Sequence, residues 1–402
     1  MMGGGWQRAA AWLSRIRWPR SRPLAGRRCI FCDERPPAAR LGSGFPRAEQ
    51  LVRALLELGA EVTIVALKPE DPRYLPYETA IPRGAAMAAG RGVEVLERLL
   101  RMGSERWSDL IVSRPSTLEQ VQPLLKTSPD LLTGVNLIYD AEAIFALRET
   151  VRQRVAGRVR TSEEAEEAVA REVALCQGAS AVMSVSSGEA GHFRRFGLSP
   201  LVVGHAIEPL ASPAGFASRR DVLFIGSIHG NNGPNYDAIT WFLKGVWPGL
   251  AVQLPEARCI IAGLNLASNL TAAQLPERVI MTGALEDLTP LYQSARLFIA
   301  PTRFAAGIPI KIIEAAAAGV PVVCTSLLAA QLGWSPGQEL TVGDTPEDFA
   351  AGCIQLYRDR ARWRRQQVSA QRRVRREYSP RVFRRQVEEL FAAVAARRVV
   401  GG

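Results

Sequence analysis

No run of eighteen apolar residues occurs anywhere in these 402, which argues against a hydrophobic transmembrane helix. The pattern G-x-x-x-x-G-K-[ST] is missing, so the chain is not a P-loop enzyme. H-E-x-x-H and G-x-S-x-G are missing too, which removes the zinc-protease and serine-hydrolase patterns. "GSGFPR" lacks the third glycine of a dinucleotide fingerprint. No two aspartates stand one residue apart, and Asp-x-Asp is the commonest short way to hold a divalent ion on a diphosphate. Histidine is scarce, limited to His192, His205 and His229. The six cysteines are scattered. Cys29 and Cys32 form a C-x-x-C, but a zinc site needs a second pair. The pair also lies in "RRCIFCDE", which reads as a strand, whereas a redox pair sits at a helix start. The thiols read as free, which suits a reducing cytoplasm.

What is present is enough apolar material, 47%, to build real cores. The length suggests two domains of ordinary size. The net charge of +11 is unevenly placed. Residues 1–28 contribute +7 and residues 358–398 contribute +10, so the rest of the chain carries −6. The basic ends therefore read as surfaces for an acidic partner, anionic lipid ahead of nucleic acid, since the chain has no recognised nucleic-acid module and no specific nucleic acid is expected. The opening "WQRAAAWLSRIRWPRSR" is too interrupted for a signal peptide. It reads either as an amphipathic helix lying on a membrane or as a disordered basic tail.

Strand and helix signals alternate along the chain. "RCIFCDE" predicts a strand, and "RLGSGFPRAEQLVRALLELGA" a glycine turn and a helix with Pro46 in its first turn and Gly59 closing it. "EVTIVAL", "SDLIVSR", "VNLIYDAEA" and "SAVMSVSS" predict further buried strands. "TSEEAEEAVAREVALCQGA" predicts a helix capped by Thr161 or Ser162. A stretch rich in Pro, Ser, Ala and Gly then breaks the pattern, and a second alternating set begins at "DVLFIGS". The expected division is a basic tail 1–27, an α/β domain 28–206, a linker 207–220, an α/β domain 221–376 and a terminal helix 377–402. Ligands of open α/β sheets bind outside the carboxyl ends of the strands, so a cleft between two such halves is the expected site.

Three small-residue loops each follow a predicted strand and precede a helix: Gly42-Ser43-Gly44, Gly226-Ser227 and Ala305-Ala306-Gly307, the last running into Ile308. Such loops let backbone N–H groups approach an anion, although any strand–helix turn favours glycine. In "RFAAGIPIKIIEAAAAGVPVV", Lys311 and Glu314 stand three apart in a helix otherwise made of Ile, Ala and Gly. An exposed pair at this spacing is an ion pair of about 0.3 kcal/mol. A buried one needs partners, and a ligand at the helix start supplies them: phosphate for Lys311, two hydroxyls for Glu314.

"FIGSIHGNNGPNYDAITWF", followed by "IMTGALEDLTPLYQSARLFIAPTRFAAGIPIKIIEAAAAGVPVV", resembles the donor-binding half of the group-one glycosyltransferases, the large retaining family with the GT-B fold. "GSGFPRAEQLVRALLELGAEVTIV", "LIYDAEAIFALRE" and "AVMSVSSGEAGHF" look like its acceptor half, so the resemblance runs from about Arg28 to Tyr378. It implies two Rossmann-like α/β domains facing each other across a cleft. It implies a nucleotide-diphospho-sugar donor, a glycan or lipid-linked acceptor, and a terminal helix that returns to the first domain. It places the ribose on Glu314, the diphosphate near Lys311, the donor near Gly44, and the base near the turn from Gly283 to Leu285. It makes Lys311, Arg303 and backbone amides the stabilisers of the leaving group, without a metal or other cofactor. Asp140 is the candidate on the acceptor side, against its alternative role as a helix cap.

The chain departs from the family's pattern in three places. The first motif glutamate is replaced by Ala306. The basic pair after the first strand of the second half is replaced by Ser227, His229, Asn231 and Asn232. The first-domain histidine is missing, and Asp140 and Glu142 occupy its region. These departures keep open a non-catalytic, sugar-binding homologue, and less so a nucleotide-sugar epimerase on the same fold. The expected setting is cytoplasmic, at the inner face of a membrane, in cell-envelope polysaccharide synthesis.

Overall fold

The short Val, Ile, Leu and Phe runs fold as strands of two parallel sheets, each in its own compact unit. The computed structural model describes residues 22–38, 44–70, 81–158, 160–285 and 287–400. The first unit takes its described residues from 22–150, 160–206 and 381–400, the second from 151–158 and 207–380. The basic opening segment up to residue 21 lies outside the described residues.

The first sheet contains β1 (Arg28–Asp33), β2 (Glu61–Ala66), β3 (Ala86–Met87), β4 (Asp109–Ser113), β5 (Asn136–Asp140), β6 (Ala181–Ser184) and β7 (Leu201–Val202). Their spatial order is β3-β2-β1-β4-β5-β6-β7. The order reverses between β1 and β4, so the switch point of this sheet lies there. Both faces are apolar. Cys29 and Phe31 pack into one core with Leu51, Val52 and Leu55, while Cys32 packs into the other with Leu96 and Leu110. Cys29 and Cys32 thus point to opposite sides of one strand and cannot share an ion.

The helix Phe45–Glu57 has Pro46 in its first turn and is closed by Gly59 at φ 101°. In the helix Ser162–Ala174 the cap is Thr161: its hydroxyl accepts from Glu164 N–H, and the Glu164 carboxylate accepts from Thr161 N–H. The last helix, Pro380–Val400, lays Phe383, Val387, Leu390, Phe391 and Val394 into the core of this first unit.

The second sheet contains β8 (Asp221–Ile225), β9 (Cys259–Ala262), β10 (Val279–Gly283), β11 (Ala295–Ala300), β12 (Val322–Cys324) and β13 (Thr341–Val342), in the order β10-β9-β8-β11-β12-β13. Its switch point lies between β8 and β11. The single helix expected over "NYDAITWFLKGVWPGL" is interrupted. Helices Pro234–Trp241 and Trp247–Gln253 are joined by one wide π turn, Phe242–Val246. Pro248 has no N–H to continue an α ladder, and the wide turn brings the Phe242 ring against Trp247 on one side and Phe349 on another.

The stretch 207–220 is bound into the second unit. Leu210 N–H donates to Ala317 O at 2.9 Å. Arg219 is fully buried and donates to four carbonyls: Ala214 at 2.8 Å, Ala295 at 2.8 Å, Ala318 at 3.1 Å, and Tyr292. Burial without a carboxylate partner pulls this guanidinium down to about 10. Tyr292 and Ala318 lie near the ends of the helices Thr289–Ser294 and Ile310–Ala317, where backbone carbonyls lack intrahelical partners. Replacing Arg219 by Met keeps the bulk and orphans those acceptors. Urea denaturation of Arg219→Met is expected to show a loss of at least about 3 kcal/mol, and a loss below 1 kcal/mol would refute this role.

Candidate functional site

At the switch point of the second sheet, two loops lie side by side: 226–233 after β8 and 301–309 after β11. The helix Ile310–Ala317 begins where the second loop ends. Ile312, Ile313, Ala315, Ala316 and Ala317 bury its inner face. Lys311 and Glu314 lie half-buried on its other side. An i, i+3 ion pair between them, the alternative for an exposed pair, is absent among the described residues. Lys311 Nζ instead donates to Asn235 Oδ1 at 2.6 Å and sits 5.0 Å from the centre of the Phe224 ring. Asn235 is held in turn by its own amide, which donates to Ser227 O at 2.8 Å.

Gly226 is needed for this arrangement. A Cβ there would stand 2.8 Å from the Asn235 amide. Gly263, at φ 136°, lets the loop after β9 approach the same turn, since a Cβ on it would meet Gly226 O at 2.5 Å. Gly307 is also left-handed, at φ 78°, and carries the chain from β11 into the helix. Ile308 packs against the core beneath that loop.

Burial pushes the Glu314 carboxyl up to about 7, and the Lys311 charge only partly offsets it. The same desolvation brings the Lys311 ammonium down to about 8, against the pull of Glu314. Both charged forms are therefore destabilised as they stand. Glu314 makes no side-chain hydrogen bond among the described residues, so its acceptor oxygens are available. Arg303 is differently placed. Its guanidinium is forked onto Asp237, with Nε to Oδ2 at 3.0 Å, which takes up much of its charge. Gly283 turns the chain at φ 72°, and its carbonyl accepts from Gly263 N–H at 2.9 Å. Beside it Leu264, Leu266 and Leu285 stand exposed, an apolar shelf at the carboxyl ends of β9 and β10.

Gly42 lies outside the described residues. Gly44, at the start of the Phe45–Glu57 helix, lies against the carboxylate of Glu142 so closely that a Cβ would overlap it at 1.8 Å. Asp140 is fully buried and caps no helix. Both its oxygens accept from Arg47 Nη1, at 2.8 and 2.7 Å, while the rest of the Arg47 guanidinium donates to Val203 O and Gly204 O.

Next to this pair is a charged cluster at the first sheet's switch point, of which the sequence pointed only to Asp140 and Glu142. Arg114 Nε donates to Glu142 Oε2 at 3.0 Å, lies 3.7 Å from Asp33 Oδ2, and stacks 3.8 Å from the centre of the Phe45 ring. Arg114 and Glu142 both hold left-handed backbones, at φ 77° and 45°. Asp33 Oδ2, Arg114 Nη2 and Glu142 Oε1 are buried without a hydrogen-bond partner among the described residues. Burial raises the Asp33 carboxyl to about 8 despite Arg114.

Residues 219–359 match the family described as Glycosyl transferases group 1. That span contains Asn235, Arg303, Lys311 and Glu314. The chain is 26% identical over 144 residues to an uncharacterized 44.6 kDa protein of the cps region of Klebsiella pneumoniae. The match spans 33% of this chain and 36% of that protein. Among solved structures, sucrose-phosphate synthase from Thermosynechococcus elongatus aligns with TM-score 0.66 at 17% identity, over 92% of this chain and 100% of that one. Anabaena HepE in complex with UDP and glucose aligns with TM-score 0.63 at 15% identity, over 90% and 99%. A glycosyltransferase from Rickettsia africae aligns with TM-score 0.61 at 11% identity, over 92% and 99%. The fold is GT-B, and the second unit carries the group-one glycosyltransferase pattern.

Two outcomes are expected from this geometry. Glu314 has an ordinary value of 4.5 and a folded value near 7, so its contribution to stability is complete below about 4.5 and lost as pH rises towards 7. Lys311, depressed from 10.5 to about 8, loses its contribution as pH falls from about 10.5 to 8. The unliganded pair is therefore least favourable between about 7 and 8. In urea melts, the midpoint of Glu314→Gln should gain on wild type as pH rises from 5 to 7; parallel curves would contradict the assignment. Separately, Gly44→Ala should cost about 1–3 kcal/mol by displacing Glu142 from Arg114. The same change in a Glu142→Ala background should cost much less, and equal costs in both backgrounds would show that the two residues do not interact.

Proposed function

We propose that the protein is a retaining glycosyltransferase of the hexosyltransferase kind, moving a sugar from a nucleotide-diphospho-sugar to a glycan or lipid-linked acceptor. The observation that carries this reading is the switch point of the second sheet. There an ammonium held by an amide and a carboxylate with free acceptor oxygens stand one turn apart, both destabilised until a ligand arrives. A diphosphate beside Lys311 would stabilise its ammonium. Two ribose hydroxyls donating to Glu314 would stabilise its carboxylate. The loop at Gly226 and Ser227 and the turn at Gly307 and Ile308 offer backbone close to the phosphates. The exposed Leu285, beside Gly283, gives an apolar face for the base.

In the transfer, the bond from the anomeric carbon to the diphosphate oxygen breaks, and negative charge grows on that oxygen. Lys311 is the stabiliser of that charge, without a metal in this reading. Arg303 acts mainly through Asp237, in the helix that also carries Asn235, and so positions rather than reacts. Asp140 fixes Arg47 and shapes the acceptor side. HepE binds UDP and UDP-glucose, which makes uridine nucleotides the first donors to try. The cps-region relative supports a setting in envelope polysaccharide synthesis, and work at the cytoplasmic face of a membrane is part of the same proposal. A non-catalytic binder remains the second reading, favoured by Ala306 in place of the first motif glutamate.

Thermal melts against nucleoside diphosphates and nucleotide-sugars test the proposal. A ligand at a hundred times its Kd adds about 2.7 kcal/mol. One nucleotide should raise the melt of wild type and not that of Glu314→Ala. A shift that persists unchanged in the variant would remove Glu314 from the site. Release of nucleoside diphosphate with a membrane extract as acceptor source separates the enzyme from the binder.

A further inference from the structure

The helix Arg360–Glu377 has two sides of opposite character. Trp363, Gln366, Gln367, Ala370, Gln371 and Val374 are buried. Three of them pin the helix to the second unit: Gln366 donates to Val322 O at 2.8 Å, Gln367 to Gly319 O at 2.9 Å, and Gln371 to Ala317 O at 3.2 Å. On an ideal helix the other side gathers Arg360, Arg364, Arg365, Arg372, Arg375 and Arg376 within about 160°, along roughly 24 Å. Arg373 and Arg376 share Glu377. Arg364, Arg372 and Arg375 have no carboxylate partner among the described residues, and all three are exposed. Arg364 donates only to Gln367, at 2.5 Å. These three line a groove of about 440 Å³ together with Ser212, Pro213 and Val368, and no acidic residue is in its lining.

We propose that this groove and the arginine face around it dock the protein on an anionic phospholipid surface, with a lipid phosphate seated among Arg364, Arg372 and Arg375. Several uncompensated guanidiniums in a line suit a plane of phosphates better than one small anion, which needs a single closed pocket. Guanidinium pairs bidentately with phosphate, which suits these side chains to lipid headgroups. A nucleic-acid strand would want aromatic platforms for its bases, but the one aromatic residue of this helix, Trp363, is buried. Outside its basic ends the chain is acidic, by −6 in charge, so an anionic surface draws the protein in by its ends and repels the rest. The inference deepens the membrane setting of the proposed function and is independent of the donor site.

Sedimentation of the full chain with phosphatidylglycerol–phosphatidylcholine vesicles tests it, beside Arg364→Glu/Arg372→Glu/Arg375→Glu. Wild type should partition onto anionic vesicles, release them at high salt, and ignore pure phosphatidylcholine. The triple variant should bind on the order of a hundredfold more weakly, while keeping the melt of wild type and its response to nucleotide. Equal sedimentation of the two proteins would overturn the proposal and give the binding to another basic segment. So would failure of wild type to bind at low salt. Displacement by inorganic pyrophosphate at micromolar levels would overturn it in favour of a free-anion pocket, and tighter binding of an oligonucleotide with the same arginine dependence would assign the face to nucleic acid. Loss of the nucleotide response alone would count against the donor reading and leave vesicle binding intact.

Discussion

One buried guanidinium, with no carboxylate to answer it, organises the second unit. Arg219 collects carbonyls from the stretch before β8, from the ends of two helices and from the start of β11. Such a group is costly to desolvate and is tolerated because it answers four carbonyls, two of them near helix ends where intrahelical partners are lacking. The glutamines of Arg360–Glu377 add donors to Ala317, Gly319 and Val322, the first of which also accepts from Leu210. Together they fix the carboxyl end of the Ile310–Ala317 helix, and a rigid helix fixed at one end presents the other end at a set place. The position of Lys311 beside Asn235 is thus decided about two turns away from it.

The two switch points solve the same problem in different ways. Each lies where strand order reverses, beside the loops that leave the carboxyl ends of two neighbouring strands. In the first unit that place is filled by the protein's own charges. Arg47 and Arg114 answer Asp140, Glu142 and Asp33, and Gly44 withdraws to make room. The cluster closes imperfectly, with three buried atoms unmatched and two residues in left-handed backbone. In the second unit the charges are fewer, half-exposed and turned outward. A closed network specifies a shape, whereas an open pair waits for something to complete it.

Much of this was legible in the sequence. The alternation of strands and helices, the two halves, the glycine loops and the odd charges at Lys311 and Glu314 all follow from local pattern. What local pattern does not hold is partnership. Spacing on the helix pairs Lys311 with Glu314, but the lysine reaches Asn235, 76 residues earlier, because β8 and β11 are neighbours in the sheet. Asp140 reads as a helix cap until Arg47, 93 residues away, is seen to hold both its oxygens. Arg114 and Asp33 fall at the ends of the strands in "SDLIVSR" and "RCIFCDE", and nothing local to either marks it out. Strands β3, β7 and β13 are two residues long, too short to show any period. The π turn at Phe242–Val246 was missed because the apolar pattern runs through it unbroken.

The cysteines, chemically silent in every argument above, have a use of their own. All six are buried, three in the first unit (Cys29, Cys32, Cys176) and three in the second (Cys259, Cys324, Cys353). Burial raises each thiol, so little thiolate exists to be alkylated while the fold is intact. A pulse of alkylating reagent therefore marks only molecules that have opened. Because the six sites divide evenly, the peptides that carry the label also record which half opened. The native chain already contains a two-channel clock for its own unfolding, with no probe added and no residue changed.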